Sequence, residues 1–498
     1  MSNFQYVLRC PLIQHYPIIA WRSEWRRLAQ CRPRKAFTTT PRWAIAAAEM
    51  TENDLRSLKV NQSRLMDNIH STSELGKGER WGSRPTDIGM SRLALSSSDK
   101  TARDWFTSTT EKLGCTVTVD NTGNQFAIRP GINAGTPTYA GSHLDTQPSG
   151  GRYDGILGVT AAVEMLAVLN DNWIETTYPV GVINWTNEEG ARFPISMVAS
   201  GVWAGEIPQE KAWGLKSVIP SSDTATMRSA LEEIGYLGST PSSYDANPAA
   251  AHFELHIEQG PHLVGSGRKV GIVQGVQAYR WFTIEIKGKD THTGTTDFKS
   301  RADALLCASK MILHSHRIAT KVGKGALAST GIIEARPGST NTVPGKVKFS
   351  LDIRAPKDET VEELEDLLKD GFEKIAKGKD VGGLNEGTTK GLPCEVQWKT
   401  DSVSPAVKFH PDCIACVADS SKALFGEEAG QMTLDMTSGA GHDSVYTSKR
   451  CPTSMIFVPC RDGISHNPAE YCEPEDCAIG AKVLLGSVLR YDRLRASK

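Results

Sequence analysis

The 498-residue chain has no apolar run near the ~20 residues a membrane-spanning helix requires, so no membrane function is read from it. It also lacks an excess of charge of either sign. Its 56 basic residues face 57 acidic ones, and a net charge of −1 gives no global field for nucleic acid or an anionic membrane. Eleven cysteines are scattered without a paired framework, which fits a reducing compartment. Cys413-Ile-Ala-Cys416 has redox or zinc spacing, but no second pair accompanies it. Its flanks read as a helix start, which favours buried structural thiols. No Gly-x-Ser-x-Gly elbow is present, which argues against a serine hydrolase. Repeats, heptads and low-complexity tracts are missing too, and the length suits two domains with ample core.

What the chain does contain is a set of metal-type residues. Gly141-Ser-His143-Leu-Asp145-Thr precedes Tyr153-Asp154-Gly155, and Asn187-Glu188-Glu189-Gly190 follows. His256 lies in Glu254-Leu-His-Ile-Glu-Gln-Gly, and His466 in Ile464-Ser-His-Asn-Pro. Any one histidine on an apolar segment is usually a hydrogen-bonded core residue. Here, however, four short strand-like runs (Thr138–Ser142, Val180–Thr186, Phe253–Ile257 and Met455–Pro459) carry these residues in or just beyond them. In an open α/β sheet, sites collect beyond the carboxyl ends of parallel strands. Three histidines, a glutamate and an aspartate able to bridge make enough donors for two divalent ions, with Glu188 free to move protons. That is the inventory of a two-metal hydrolase.

The first 50 residues stand apart, with Arg9, Arg22, Arg26, Arg27, Arg32, Arg34, Lys35 and Arg42 against only Glu24 and Glu49. Such an arginine-rich, acid-poor leader resembles a transit peptide, and a disordered tail or a mispredicted gene start would read alike. The expected location is therefore mitochondrial or cytoplasmic. Hydroxyl caps at Ser96 or Ser97 predict a helix to about Leu113. The strands Thr116–Val119 and Gln125–Ile128 and a helix over Val159–Leu169 follow, an alternation that predicts a mixed or parallel sheet flanked by helices. From about Gln277 the rhythm changes to strand Trp281–Ile286, helix Ala302–Ile318, strands Gly331–Ala335 and Val347–Arg354, helix Glu359–Ile375 and strand Cys394–Trp398. This β-α-β-β-α-β order is a ferredoxin-like unit. It separates His256 from His466. The expected fold class is thus α/β with a discontinuous di-metal catalytic domain (51–276 and 401–498) and an inserted ferredoxin-like lid domain (277–400). The glycine-rich stretch from Val381 reads as a surface loop of the insert.

From Arg92 to the C-terminus the chain resembles the amidase/hydantoinase/carbamoylase branch of the di-zinc aminoacylase and carboxypeptidase superfamily. The segments that carry the resemblance are Ser91-Arg-Leu-Ala-Leu-Ser, Asp120-Asn-Thr-Gly-Asn, the motifs above, Ser438-Gly-Ala-Gly-His-Asp and Phe457-Val-Pro through His466. Leu255-His-Ile-Glu-Gln-Gly is the sharpest marker, because peptidase relatives generally have a carboxylate at the histidine. The resemblance implies one metal on His143, Asp154 and His256 and a second on the bridging Asp154, Glu189 and His466. The ions would be zinc first, with manganese, cobalt or nickel also suited. It further implies Glu188 as general base and acid, and Asp145 behind His143, orienting it. Substrate contacts would come from Gln259, His292, Asn341, Arg354 and Gly439. Asp297-Phe298 stands where the family often has Pro-Met. Without the family, Arg354 reads equally well as a salt-bridged strand residue.

The implied activity is hydrolysis of the ureido C–N bond of N-carbamoyl amino acids (N-carbamoyl-L-amino acids or N-carbamoyl-β-alanine) by a homodimer joined through the lid. Allantoate amidohydrolase and a metal-dependent aminoacylase or dipeptidase are the alternatives. A metal-free homologue serving as a scaffold is disfavoured, because all five ligands and Glu188 are present.

Overall fold

The computed structural model describes residues 44–498, so the expected leader lies outside the described residues up to residue 43; its last part belongs to the fold instead, with Ile45–Ala46 paired to Ile174–Glu175 and Ala47 and Met50 buried in the core. The larger sheet has nine strands. Its path runs Val407–Lys408, Val270–Val276, Thr453–Val458, Ala251–Ile257, Thr138–His143, Val180–Trp185, Gln125–Arg129 and Thr116–Val119, with Thr433–Ser438 beside Val270–Val276. Four consecutive members of this path are mutually parallel: Thr453–Val458, Ala251–Ile257, Thr138–His143 and Val180–Trp185. All four are buried along their whole length, as strands covered on both faces must be.

Side-chain alternation sends the two faces into different cores. Ala127, Ala140, Val182, Phe253 and Leu255 pack with the helices Ile156–Asp171 and Pro474–Ala496. Phe126, Tyr139, Ile183 and Trp185 point the other way, onto Trp203. The helix Ile156–Asp171 is apolar nearly all round and buried from Ile156 to Leu169, which places it against the sheet rather than at the surface. Each fully buried Leu, Ile or Met there contributes roughly 1.5–3 kcal/mol. Its buried Glu164 is satisfied by Arg64 and by the Asn61 N–H.

Several expected elements lie where the sequence puts them. The helix Ser97–Lys112 begins with the Ser96 hydroxyl accepting the Asp99 N–H at 3.2 Å. Cys413 and Cys416 are buried in the helix Pro411–Phe425, and burial pushes the Cys416 thiol up to about 12. No described helix is long and apolar enough to cross a membrane.

The insert leaves the main sheet after Val276 and returns at Val407, which pairs antiparallel with Val276. It comprises strand Ala278–Lys287, helix Ala304–Val322, strands Leu327–Ser329 and Ile333–Arg336, strand Lys346–Ala355, helix Asp358–Ala376 and strand Glu395–Ser404. Its sheet is antiparallel, with Lys346–Ala355 and Ala278–Lys287 central and Glu395–Ser404 on one edge. The order differs from the βαββαβ read from the sequence in that its second strand is split into Leu327–Ser329 and Ile333–Arg336, both paired with Lys346–Ala355. Phe282, Ile284, Ile286, Phe349, Leu351 and Ile353 face the helices, while Trp281 stays exposed on the open face. The last strand extends to Ser404, beyond Trp398 and residue 400. Its polar Lys399-Thr-Asp-Ser run is held by backbone pairing at an edge and leaves no apolar signal.

Candidate metal centre

The four parallel strands deliver their ligands at the same end of the sheet. His143 is the last residue of its strand, and His256 the last but one of the neighbouring strand. Glu188 and Glu189 follow Trp185 in the turn beyond the next strand, and His466 lies in the loop after Val458. Asn187, Gln259 and His466 adopt left-handed φ values of 57°, 59° and 52°. Such strain in non-glycine residues persists where surrounding structure enforces it, typically at working sites. Asp154 enters from the turn before the helix Ile156–Asp171. Gly155, at φ +67°, is required there, because a Cβ would meet the His143 ring at 2.4 Å.

Two ligand groups result, and they share one carboxylate. His143, Asp154 and His256 present their ligand atoms within 4.8 Å of one another, and so do Asp154, Glu189 and His466. Asp154 Oδ1 is 3.1 Å from His256 Nε2 and 3.6 Å from His143 Nε2. Its Oδ2 is 3.3 Å from His466 Nε2, which is 3.4 Å from Glu189 Oε2. Hydrogen bonding settles the histidine tautomers. His143 Nδ1 faces the Asp145 carbonyl at 2.9 Å and His256 Nδ1 the Ile257 carbonyl at 2.9 Å, so both donate from Nδ1. Both Nε2 lone pairs therefore point at a carboxylate oxygen. The buried His143 Nε2 has no hydrogen-bond partner. Acceptor faces acceptor, an arrangement that a divalent cation satisfies, and the mixed N and O donors suit zinc or a neighbouring first-row ion.

The electrostatics agree. Asp145, Asp154, Glu188, Glu254, Asp443 and Glu470 are buried together. Among the described residues no lysine or arginine forms a salt bridge with them, only histidines. Burial raises the Glu188 carboxyl well above the usual range, the His143 contact at 3.4 Å opposes this only in part, and Asp443, Glu189 and Asp154 add to it. Burial and the Asp154 charge push Glu189 and Glu470 each to about 7. Burial would also raise Asp154, but the His143, His256 and His466 rings against its two oxygens hold it well below its ordinary value. A cluster so rich in carboxylate is built around positive charge.

Three expected roles are placed differently. Asp145 does lie behind His143, but its carbonyl orients the ring. Its carboxylate instead accepts the Glu188 N–H at 3.2 Å and the Glu189 N–H at 3.3 Å, because the left-handed Asn187 turns both amides toward it. Gln259 donates to Asp154 Oδ2 at 2.8 Å, so in this state its amide steadies the shared carboxylate rather than standing free for substrate. Arg354 donates through Nε and Nη2 to Asp352, and through Nη1 to the Gly439 carbonyl at 2.9 Å. Its fork is thus half engaged within the insert, while it does meet Gly439. His292 and Asn341 are brought together as well. His292 pairs with Thr342 in a short antiparallel ribbon, and the Asn341 carbonyl accepts the Thr293 N–H. Both are exposed, and no hydrogen bond among the described residues joins them to the metal cluster.

Sequence reasoning assigned no role to Glu470, Ser465, Gln147 or His442. Glu470 accepts the Tyr153 and Asp154 N–H groups and the Ser465 hydroxyl, and Ser465 also donates to Asp154. Gln147 donates twice to Glu189. The His442 ring lies 4.5 Å from that of His256, with Glu254 beside both. Only His442, in Ser438-Gly-Ala-Gly-His-Asp, and Ser465, next to His466, had a sequence signal.

With this geometry the chain belongs to the peptidase family M20/M25/M40, whose model matches residues 139–490. It is accordingly a hydrolase, of a family whose members are metal-dependent. Within that family it is 34% identical over 432 residues to an N-carbamoyl-L-amino-acid amidohydrolase of Rhizobium meliloti, covering 86% of this chain and 96% of the relative. A ureidoglycolate hydrolase of Oryza sativa subsp. japonica is 30% identical over 410 residues, covering 80% of each chain. Among solved structures, an amidase of the hydantoinase/carbamoylase family from Burkholderia multivorans superposes with a TM-score of 0.76 at 39% identity, covering 87% of this chain and 98% of that one.

Proposed function

We propose that this protein hydrolyses the ureido C–N bond of N-carbamoyl amino acids, releasing the amino acid, CO2 and NH3. The observation that carries the reading is the pair of ligand triads sharing Asp154, with Glu188 beside His143 but in neither triad. The similarity to N-carbamoyl-L-amino-acid amidohydrolases supports the substrate class. A ureido carbonyl is a poor electrophile because two nitrogens donate into it. Two divalent ions held by His143, Asp154, His256, Glu189 and His466 would supply Lewis acidity toward that oxygen and the attacking water.

Glu188, kept protonatable by burial among other carboxylates, takes the water's proton and delivers it to the leaving nitrogen. Asp145 holds the Glu188 and Glu189 amides in place. His292 Nδ1 accepts the Gly294 and Thr295 N–H groups, which leaves Nε2–H outward as a donor for the developing oxyanion. Closure of the insert brings His292, Asn341 and Arg354 to the metals, and Arg354 then exchanges part of its Asp352 contact for the substrate carboxylate. The exposed Leu327, Ile332 and Ile333 along one edge of the insert support a homodimer through this sheet. Light scattering on the active protein checks this, and a fully active monomer overturns it.

A second reading, a ureido acid such as ureidoglycolate or allantoate as substrate, is favoured by the similarity to ureidoglycolate hydrolases. Turnover of N-carbamoyl-L-amino acids, N-carbamoyl-β-alanine, allantoate, ureidoglycolate, an N-acyl amino acid and a dipeptide, measured side by side, tests both. Preference for the N-acyl or dipeptide substrate would overturn the ureido assignment altogether.

A further inference from the structure

A cavity of about 300 Å³ opens in the insert, away from the metal ligands, and Cys307 and Cys394 both line it. Cys307 is buried in the first turn of the helix Ala304–Val322, while Cys394 is half-buried immediately before the edge strand Glu395–Ser404. Far apart in sequence, the two cysteines are brought by the fold to the lining of one cavity, as neighbours that influence each other's titration. The nearby Cys307 holds the Cys394 thiol below the usual range, against the opposing effects of burial and of Asp303. The Cys307 thiol is pushed far up by Cys394 and by burial. Arg301, Lys310 and Lys390 bring positive charge to the same wall. A half-buried thiol and a buried one on the wall of the same cavity have the division of labour of an attacking and a resolving cysteine. Cys472 and Cys477 also lie side by side, but both are fully buried.

We propose that Cys307 and Cys394 form a reversible thiol–disulfide site in this cavity, oxidised by low-molecular-weight disulfides. The Cys394 thiolate attacks one sulfur of the incoming disulfide, whose S–S bond breaks and releases one thiol. Cys307 then gives its proton to solvent and attacks the Cys394 sulfur, releasing the second thiol. Two protein thiols are oxidised, and one small disulfide is reduced to two thiols. The new bond staples the helix Ala304–Val322 to the edge strand of the sheet. It forms behind Arg301, whose guanidinium donates to the Thr293 and Thr296 carbonyls of the His292 turn.

The test equilibrates the full-length, folded protein in oxidised and reduced glutathione, traps free thiols by alkylation and maps peptides by mass spectrometry. A Cys307–Cys394 link should be the first disulfide to form and should be reversed by dithiothreitol. In the reduced protein, Cys394 should alkylate roughly tenfold faster than Cys307, following its greater thiolate fraction and exposure. Cys307→Ser should accumulate a Cys394–glutathione mixed disulfide that the wild type does not, and Cys394→Ser should leave Cys307 unmodified. The proposal fails if another pair links first, if both cysteines stay free while other thiols oxidise, or if the wild type also stops at the mixed disulfide.

Discussion

Replacing Glu188 by Gln separates proton transfer from metal binding more cleanly than any other single change at this site. Glu188 belongs to neither ligand triad. Its backbone is anchored independently, through its N–H to Asp145 and its carbonyl to the Met197 N–H at 2.7 Å. The amide therefore keeps the shape of the turn while removing the proton carrier. A general acid–base role contributes about 10²–10⁴-fold, which corresponds to roughly 3–5 kcal/mol in the barrier. The stability effect has the opposite sign. The folded-state pKa of Glu188 lies well above its unfolded value, so near neutral pH its charged form costs stability in the metal-stripped protein, and the neutral amide removes that cost. Glu188→Gln should thus lower kcat by two to four decades, retain both metals by elemental analysis, and leave the metal-free melting temperature unchanged or raised. Glu189→Gln should behave differently. Glu189 is a member of the second triad, and both its oxygens accept hydrogen bonds from Gln147, so an amide there sets donor against donor. That variant should lose metal first and activity as a consequence. Wild-type kcat in Glu188→Gln, or exchanged phenotypes for the two variants, would refute the assignment.

Exhaustive chelation should abolish activity, and zinc, manganese or cobalt should restore it, because mixed N and O ligands suit several first-row ions; full activity in verified metal-free protein would end the reading. Arg354→Ala should erase most of the preference for an N-carbamoyl acid over its neutral amide, at a cost of ~2–5 kcal/mol in binding the acid, and Arg354→Lys should recover little. An unchanged acid-to-amide ratio would reduce Arg354 to the partner of Asp352 that it already is. Burial of His252 brings its pKa down from 6.5 to about 4, with Glu254 opposing. Below pH ~6.5 the unfolded chain binds a proton that the fold does not, so stability should fall as pH drops from about 6.5 to 4, by at most ~3 kcal/mol from this group. Denaturant titrations across that range should show a shallower loss for His252→Gln, and equal slopes would remove His252 as the cause.

Much of the site could be read locally. Histidines at strand ends and a paired Glu188-Glu189 after an apolar run are short-range patterns, because period-two alternation and glycine turns show where a strand stops. The strands ending near His143, Glu188, His256 and His466 lie where those patterns place them. The two helices and the longer strands of residues 277–400 were legible for the same reason, but the short strand Leu327–Ser329, the ribbon of Thr291–His292 with Thr342–Val343 and the polar end of the edge strand were not.

What the sequence by itself determined is therefore the kind of residue at each place and the end of each strand. Which atom meets which was decided by tertiary structure. Asp145 and the Glu188 amide lie 43 residues apart, Gln259 and Asp154 105, and Glu470 and Asp154 316. Glu470 carries no local signature at all. It becomes part of the centre only because a distant loop folds over the Tyr153–Asp154 turn and offers an acceptor for two amide groups that would otherwise be buried unpaired. Hydrogen-bond satisfaction is a property of the packed interior, where each buried donor must find a partner in space. That requirement, more than proximity along the chain, assigned the carboxylates to their places in the candidate metal centre.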